Sequence, residues 1–94
     1  MNDEKWAVYI LQCSDDSLYT GITTDLVRRL RQHASGTGSK YVRSRLPFSQ
    51  VWLTLLMTKS QALKLEYKIK QLHKDKKVEA LNKYYQKQIR DRGK

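Results

Sequence analysis

The chain has 94 residues, 39% of them hydrophobic, and a net charge of +10. That is the size of one small domain, too small for a large buried cofactor yet apolar enough to fold. The single cysteine, Cys13, excludes an internal disulfide and a cysteine-rich zinc site, and fits a reducing cytoplasm.

Residues 6–13, WAVYILQC, are nearly continuous in hydrophobicity and rich in β-branched and aromatic types. They predict a central strand covered on both faces. The turn formers SDDS follow, then LYTGIT, a second short strand, so the pair predicts a β-hairpin. Gly21 inside that strand marks either a bulge or a close backbone approach. Thr24 is the expected cap of the next helix, with Asp25 in its first turn. Leu26, Val27, Leu30 and Ala34 recur at helical spacing, and the helix is expected to end near Ser35-Gly36.

GTGSKYVRSRLPF, residues 36–48, reads as a loop with a short helical piece around Lys40–Arg45, stopped by Pro47. SQVWLTLLM, residues 49–57, predicts a third strand, again apolar on both sides. Thr58 and Gln61 have the spacing of a capping box. In the helix that follows, Ala62, Leu65, Ile69 and Leu72 form one stripe, with Lys64, Lys68, Lys70 and Lys74 off it. HKDKK breaks the pattern, and a last helix is expected over residues 77–85, carrying Val78, Leu81, Tyr84 and Tyr85. The order β-β-α-α-β-α-α implies an α+β fold, a small antiparallel sheet with helices packed against it. Residues 1–85 are expected to form the domain and 86–94 a basic, frayed tail.

The charge is uneven. Residues 1–57 carry 7 basic and 5 acidic side chains, whereas residues 58–94 carry 12 and 4. Such an excess suggests a polyanionic partner, most often nucleic acid. The basic helices lack a broad apolar face, which disfavours a membrane surface. No signal peptide is expected, and the longest apolar run is far too short to span a bilayer.

No glycine-rich phosphate loop, HExxH pair or nucleophile elbow is present. One constellation does suggest chemistry. Arg29 and His33 lie four apart on a helix and share a face. The strand feeding that helix carries Tyr19, and the preceding strand carries Tyr9. Glu66 borders the buried stripe of its own helix. A guanidinium, an imidazole, two phenols and a carboxylate are a coherent set for phosphodiester hydrolysis, with roles in charge neutralisation, proton removal and metal binding. Strand faces alternate, so Tyr9 and Tyr19 share a face only across an odd-numbered or bulged hairpin loop, which is therefore expected.

AVY at 7–9 and the run Y-x-G-x-T-x-D-L-x-x-R-x-x-x-H from Tyr19 to His33 resemble the GIY-YIG nuclease superfamily. EYKIKQL, with Glu66, resembles that superfamily's metal-binding segment. The resemblance spans residues 6 to 80 and is strongest to small stand-alone bacterial members. It extends to the nuclease domain of endonucleases that cut branched DNA. It implies a three-stranded antiparallel sheet flanked by helices and a metal-dependent DNA endonuclease working in repair or recombination. Tyr9, Tyr19, Arg29 and His33 are the implied catalytic residues, and Glu66 the ligand of one Mg²⁺ or Mn²⁺. Gly21 and Thr23 of the run are expected to be structural. Ala7 and Val8 replace the first two residues of the name motif, and Asn82 is a weak match to an asparagine of larger members.

Lys40, Arg43, Arg45, Lys64, Lys68, Lys70 and Lys74 are the expected contacts to nucleic acid. The chain is expected to be a cytoplasmic monomer with no obligate protein partner. Two other readings compete: a module of the same fold that binds nucleic acid without cutting, also using Lys76 and Lys77, and a protein-interaction domain.

Overall fold

The computed structural model describes residues 4–72 together with 76, 77, 79, 82 and 83. The element order is β1 (Ala7–Gln12), β2 (Leu18–Thr23), α1 (Leu26–Ser35), α2 (Lys40–Arg43), β3 (Ser49–Leu53) and α3 (Lys59–Lys70). The strands form one antiparallel sheet in the order β2-β1-β3, so the fold is α+β. The expected last helix, the tail and Lys74 fall wholly or mostly outside the described residues.

The apolar run of β1 is explained by its central place. Val8, Tyr9, Ile10 and Leu11 are all fully buried. Val8 and Ile10 point to one face, where they meet Ala62, Leu65 and Ile69 of α3. Tyr9 and Leu11 point to the other, where they meet Leu26 and Leu30 of α1 and Val42 of α2. Helices therefore cover both faces, each burying its own apolar cluster.

The hairpin has the odd loop that shared tyrosine faces require. Gln12 pairs with Leu18 across five intervening residues, Tyr9 pairs with Gly21, and Leu11 with Tyr19. Asp16 N–H donates to the Cys13 carbonyl and Cys13 N–H to the Ser17 carbonyl. Asp16 takes the left-handed conformation, φ 66°, that closes this three-residue turn.

Four expectations change. Asp25, not Thr24, caps α1: its carboxylate accepts from Arg28 N–H, while the Thr23 hydroxyl braces the approach by accepting from Asp25 N–H at 3.0 Å. The buried side of α1 is not the stripe of Leu26, Val27, Leu30 and Ala34. Val27 is 62% exposed and Ala34 is exposed, while His33 is fully buried.

The third strand is shorter and more open than its apolar run suggested. It ends at Leu53, and Val51 and Leu53 on this edge strand remain more than a third exposed. The Thr54 hydroxyl replaces a backbone carbonyl by accepting from Val8 N–H at 2.8 Å, and the chain then gains a residue before Met57 rejoins Trp6. Lastly, α3 stops at Lys70, leaving Leu72 beyond its end.

The capping box at α3 is present in full: Thr58 accepts from Gln61 N–H at 3.1 Å and the Gln61 side chain accepts from Thr58 N–H at 2.9 Å. Thr58→Ala should therefore cost about 1 kcal/mol and lower the melting temperature by about 4–8 °C. Thr58→Ser should retain most of the stability. Thermal unfolding followed by circular dichroism checks both, and equal melting of all three proteins contradicts the assignment.

Candidate active site

The shared face of β1 and β2 brings Tyr9 and Tyr19 together, their rings 6.3 Å apart. Helix α1 lies across this face and adds Arg29 and His33. The Tyr9 hydroxyl is 2.8 Å from His33 Nε2, a fully buried hydrogen bond. Arg29 Nε donates to the same hydroxyl at 3.4 Å, and its Nη1 donates to the Gln32 side-chain oxygen at 3.1 Å. The Tyr19 ring packs edge-on against His33, 5.3 Å between centroids. Four of the five expected catalytic and metal residues thus form one cluster.

Gly21 makes the cluster possible. A Cβ there would stand 2.5 Å from the Tyr9 oxygen and 2.6 Å from its Cζ. The pairing of β1 with β2 runs through Gly21 without interruption, so close approach explains this glycine and a bulge does not. Gly38 has a similar relation to His33, whose Nδ1 would be 2.8 Å from an added Cβ. The loop after α1 is drawn in this tightly because the N–H groups of Thr37 and Gly38 both donate to the Gln32 carbonyl.

Burial governs the site's protonation. It pushes the Tyr9 phenol up to about 12; the Arg29 hydrogen bond opposes the rise, and the charges of Tyr19 and Glu66 add to it. Burial also lowers the His33 pKa, with the nearby Arg29 charge acting in the same direction. The Arg29 pKa is raised, first by its hydrogen bond to Tyr9. His33 is therefore neutral near pH 7. Its Nε2 is paired with the Tyr9 hydroxyl, while its buried Nδ1 has no hydrogen-bond partner.

Glu66 arrives from the opposite side of the sheet. Helix α3 packs chiefly beneath β2, the edge strand that carries Tyr19 and Gly21. The five expected residues are therefore supplied from both faces of the sheet. The Glu66 side chain is mostly buried and pairs with Lys70 at 3.4 Å. Among the described residues no group of three or more His, Cys, Asp or Glu side chains converges. The site thus lacks a protein cage for a metal. One carboxylate suits a hard cation that keeps most of its water and takes further ligands from a phosphate.

An open cleft of about 200 Å³ adjoins the cluster, lined by Thr23, Thr24, Asp25, Arg28, Arg29 and Gln32. Arg28 and Gln32 were not among the sequence candidates. Gln32 is three residues from Arg29, a spacing that signals contact on a helix. Of the expected nucleic-acid contacts, Lys40 and Arg43 are exposed on α2, and Lys64, Lys68 and Lys70 are exposed on α3. The two groups lie on opposite faces of the sheet. Arg45 is engaged within the protein, by an ion pair to Asp15 at 2.9 Å. Asn82 accepts from Trp52 Nε1 at 2.7 Å.

The GIY-YIG catalytic domain model matches residues 5–86. The chain belongs to this family. It is 49% identical over 75 residues to a UPF0213 protein of Cupriavidus necator, covering 80% of this chain and 82% of that one. It is 46% identical over 79 residues to a UPF0213 protein of Oceanobacillus iheyensis, covering 84% and 92%. Among solved structures, the UPF0213 protein BH0048 from Bacillus halodurans shares 44% identity with a TM-score of 0.54, covering 85% of each chain. A protein from E. faecalis shares 37% identity with a TM-score of 0.62, covering 89% and 91%. The GIY-YIG assignment carries a nuclease-family reading and a nucleic-acid partner. No described helix is long and apolar enough to cross a membrane.

Two outcomes follow from this geometry. Gly21→Ala should destabilise the domain by about 1–3 kcal/mol, the usual range for overpacking. Adding Tyr9→Leu should recover part of that loss, because the clash is with the Tyr9 ring; chemical denaturation of single and double variants measures the coupling. For His33, the depressed folded pKa means that the unfolded chain binds its proton more readily. Stability is therefore present above the ordinary value near 6.5 and falls as the pH drops through the folded pKa. Urea titrations from about pH 7.5 down to about pH 5 should show a shallower fall for His33→Gln than for the native chain.

Proposed function

We propose that the protein is a metal-dependent endonuclease that hydrolyses phosphodiester bonds in DNA, including branched or otherwise structured DNA. The observation that carries this reading is the convergence of Tyr9, Tyr19, Arg29 and His33 at the edge of β2, with Glu66 close enough to act electrostatically on Tyr9.

Each residue then has a role suited to its surroundings. Tyr9 is completely buried, so it cannot be the phenol that meets water. Tyr19 is half-buried beside Arg29 and His33, and in its deprotonated form it takes the proton of the attacking water, returning to the neutral phenol. Arg29 stabilises negative charge that builds on the phosphorus centre. The Tyr9–His33 hydrogen bond holds α1 against the sheet and orients Arg29. Water oxygen bonds to phosphorus as the ester oxygen departs, and the ester P–O bond breaks. Glu66 is the residue that would hold one Mg²⁺ or Mn²⁺, which supplies charge neutralisation at the scissile phosphate and leaving oxygen.

Lys40 and Arg43 above the sheet and Lys64, Lys68 and Lys70 below it give phosphates a cationic border on both sides of the edge. The free, buried Cys13 suits a cytoplasmic setting, where the protein acts as a monomer without an obligate protein partner.

Arg29→Ala and Glu66→Ala should each lower cleavage at least about 100-fold, the scale of losing a donor to transition-state charge. Both should keep a folded NMR spectrum. The assay incubates the protein with branched, single-stranded and duplex DNA, with and without Mg²⁺ or Mn²⁺, at two salt concentrations. Salt-sensitive binding without cutting would instead identify a non-catalytic binding module.

A further inference from the structure

Tyr41 and Arg45 have no part in the chemistry above, yet they are tied to Tyr19 through a continuous set of contacts. The Tyr41 ring stacks against the Tyr19 ring, with centroids 6.0 Å apart and planes inclined by 27°. The Arg45 guanidinium lies over the Tyr41 ring, 3.8 Å from its centroid. Its Nε donates to Asp15 in the hairpin turn at 2.9 Å, and its Nη1 donates to the Tyr41 carbonyl at 3.1 Å and the Ser44 hydroxyl at 2.9 Å. A backbone bond from Ser14 N–H to the Arg45 carbonyl, 2.9 Å, ties the same two segments again. Asp15 also accepts from Ser17 N–H and the Ser17 hydroxyl, beside the start of β2.

Stability is a weak reason for this arrangement, because both members of the ion pair are substantially exposed. What it constrains is the plane of one ring. Tyr19 stands on an edge strand and is half-buried. His33 borders it on one side, and Tyr41 closes another. We infer that Tyr41, clamped by Arg45 and Asp15, is a positioning residue that holds the Tyr19 phenol in its productive orientation. The inference rests on the proposed role of Tyr19 as proton acceptor. It makes Arg45 a member of the clamp rather than a contact to phosphate.

The two uses of Arg45 predict opposite kinetics. A lost phosphate contact raises KM and is largely repaired by lysine. A lost clamp lowers kcat with little change in KM, and lysine does not repair it, since an ammonium lacks the flat face and forked donors of Arg45. Asp15→Asn is the decisive variant: it adds net positive charge, so weaker binding of a polyanion cannot explain a fall in rate.

Steady-state cleavage of DNA by Asp15→Asn, Arg45→Lys, Tyr41→Leu and Tyr41→Phe tests the clamp. The first three should lose about 10- to 100-fold in kcat with KM nearly unchanged, as a modest misplacement of a reacting group does. Tyr41→Phe keeps the ring and should cut like the native protein. Retained kcat in Asp15→Asn, Arg45→Lys or Tyr41→Leu overturns the inference. NMR supplies an arm independent of cleavage: Tyr41→Leu and Arg45→Lys should weaken the proton contacts between the Tyr19 and His33 rings while the remaining spectrum is preserved. Unchanged contacts overturn the clamp. Absence of cleavage by the native protein overturns the nuclease reading and leaves the NMR arm to decide the clamp.

Discussion

The buried hydrogen bond between Tyr9 and His33 is the constraint on which the rest of the site depends. It joins the central strand to α1 at a point where water is excluded, and without it neither ring nitrogen of the buried His33 would have a partner. Once it forms, the register of α1 is set. Arg29, one turn earlier, is brought to the same hydroxyl, and Gln32 braces it from the same helix. Gly21 and Gly38 then follow as spatial requirements, one beneath the Tyr9 ring and one beside the His33 ring. A polar interaction is thus embedded in an apolar layer that includes Leu11, Leu26, Leu30, Val42, Leu46 and Phe48.

Much of this was legible in the sequence because simple periods carry it. Alternation placed the two tyrosines, the capping residues marked α3, and the run from Tyr19 to His33 has a family pattern. The misreadings have physical causes. The apolar stripe assigned to α1 counted Val27 and overlooked His33, because hydrophobicity does not register a histidine buried by its hydrogen-bond partner. The third strand looked two-sided because composition does not reveal which strand lies at an edge. Thr24 and Asp25 are both good caps and adjacent, so only the backbone angles separate them. Arg45 displays its charge in the sequence but not Asp15, a partner 30 positions away that the hairpin brings near.

Charge and fold are also arranged on different scales. The cluster itself holds a single basic side chain, the Arg29 guanidinium, beside two tyrosines and an uncharged imidazole. The abundant lysines lie outside it, on α2 and α3, where water solvates them. This division matters because burial governs the ionisation of Tyr9, whereas exposed lysines act on a polyanion through long-range attraction that salt can screen. Attraction and proton control are therefore carried by separate parts of a very small protein.

The position of the site on an outer strand has a consequence for the shape of what can occupy it. Among the described residues, the adjoining space is an open trough rather than a dead-end chamber. A long chain can lie across such a rim with both of its ends remaining in solvent. Nothing in this geometry has to sense a terminus, admit a loose end or be threaded.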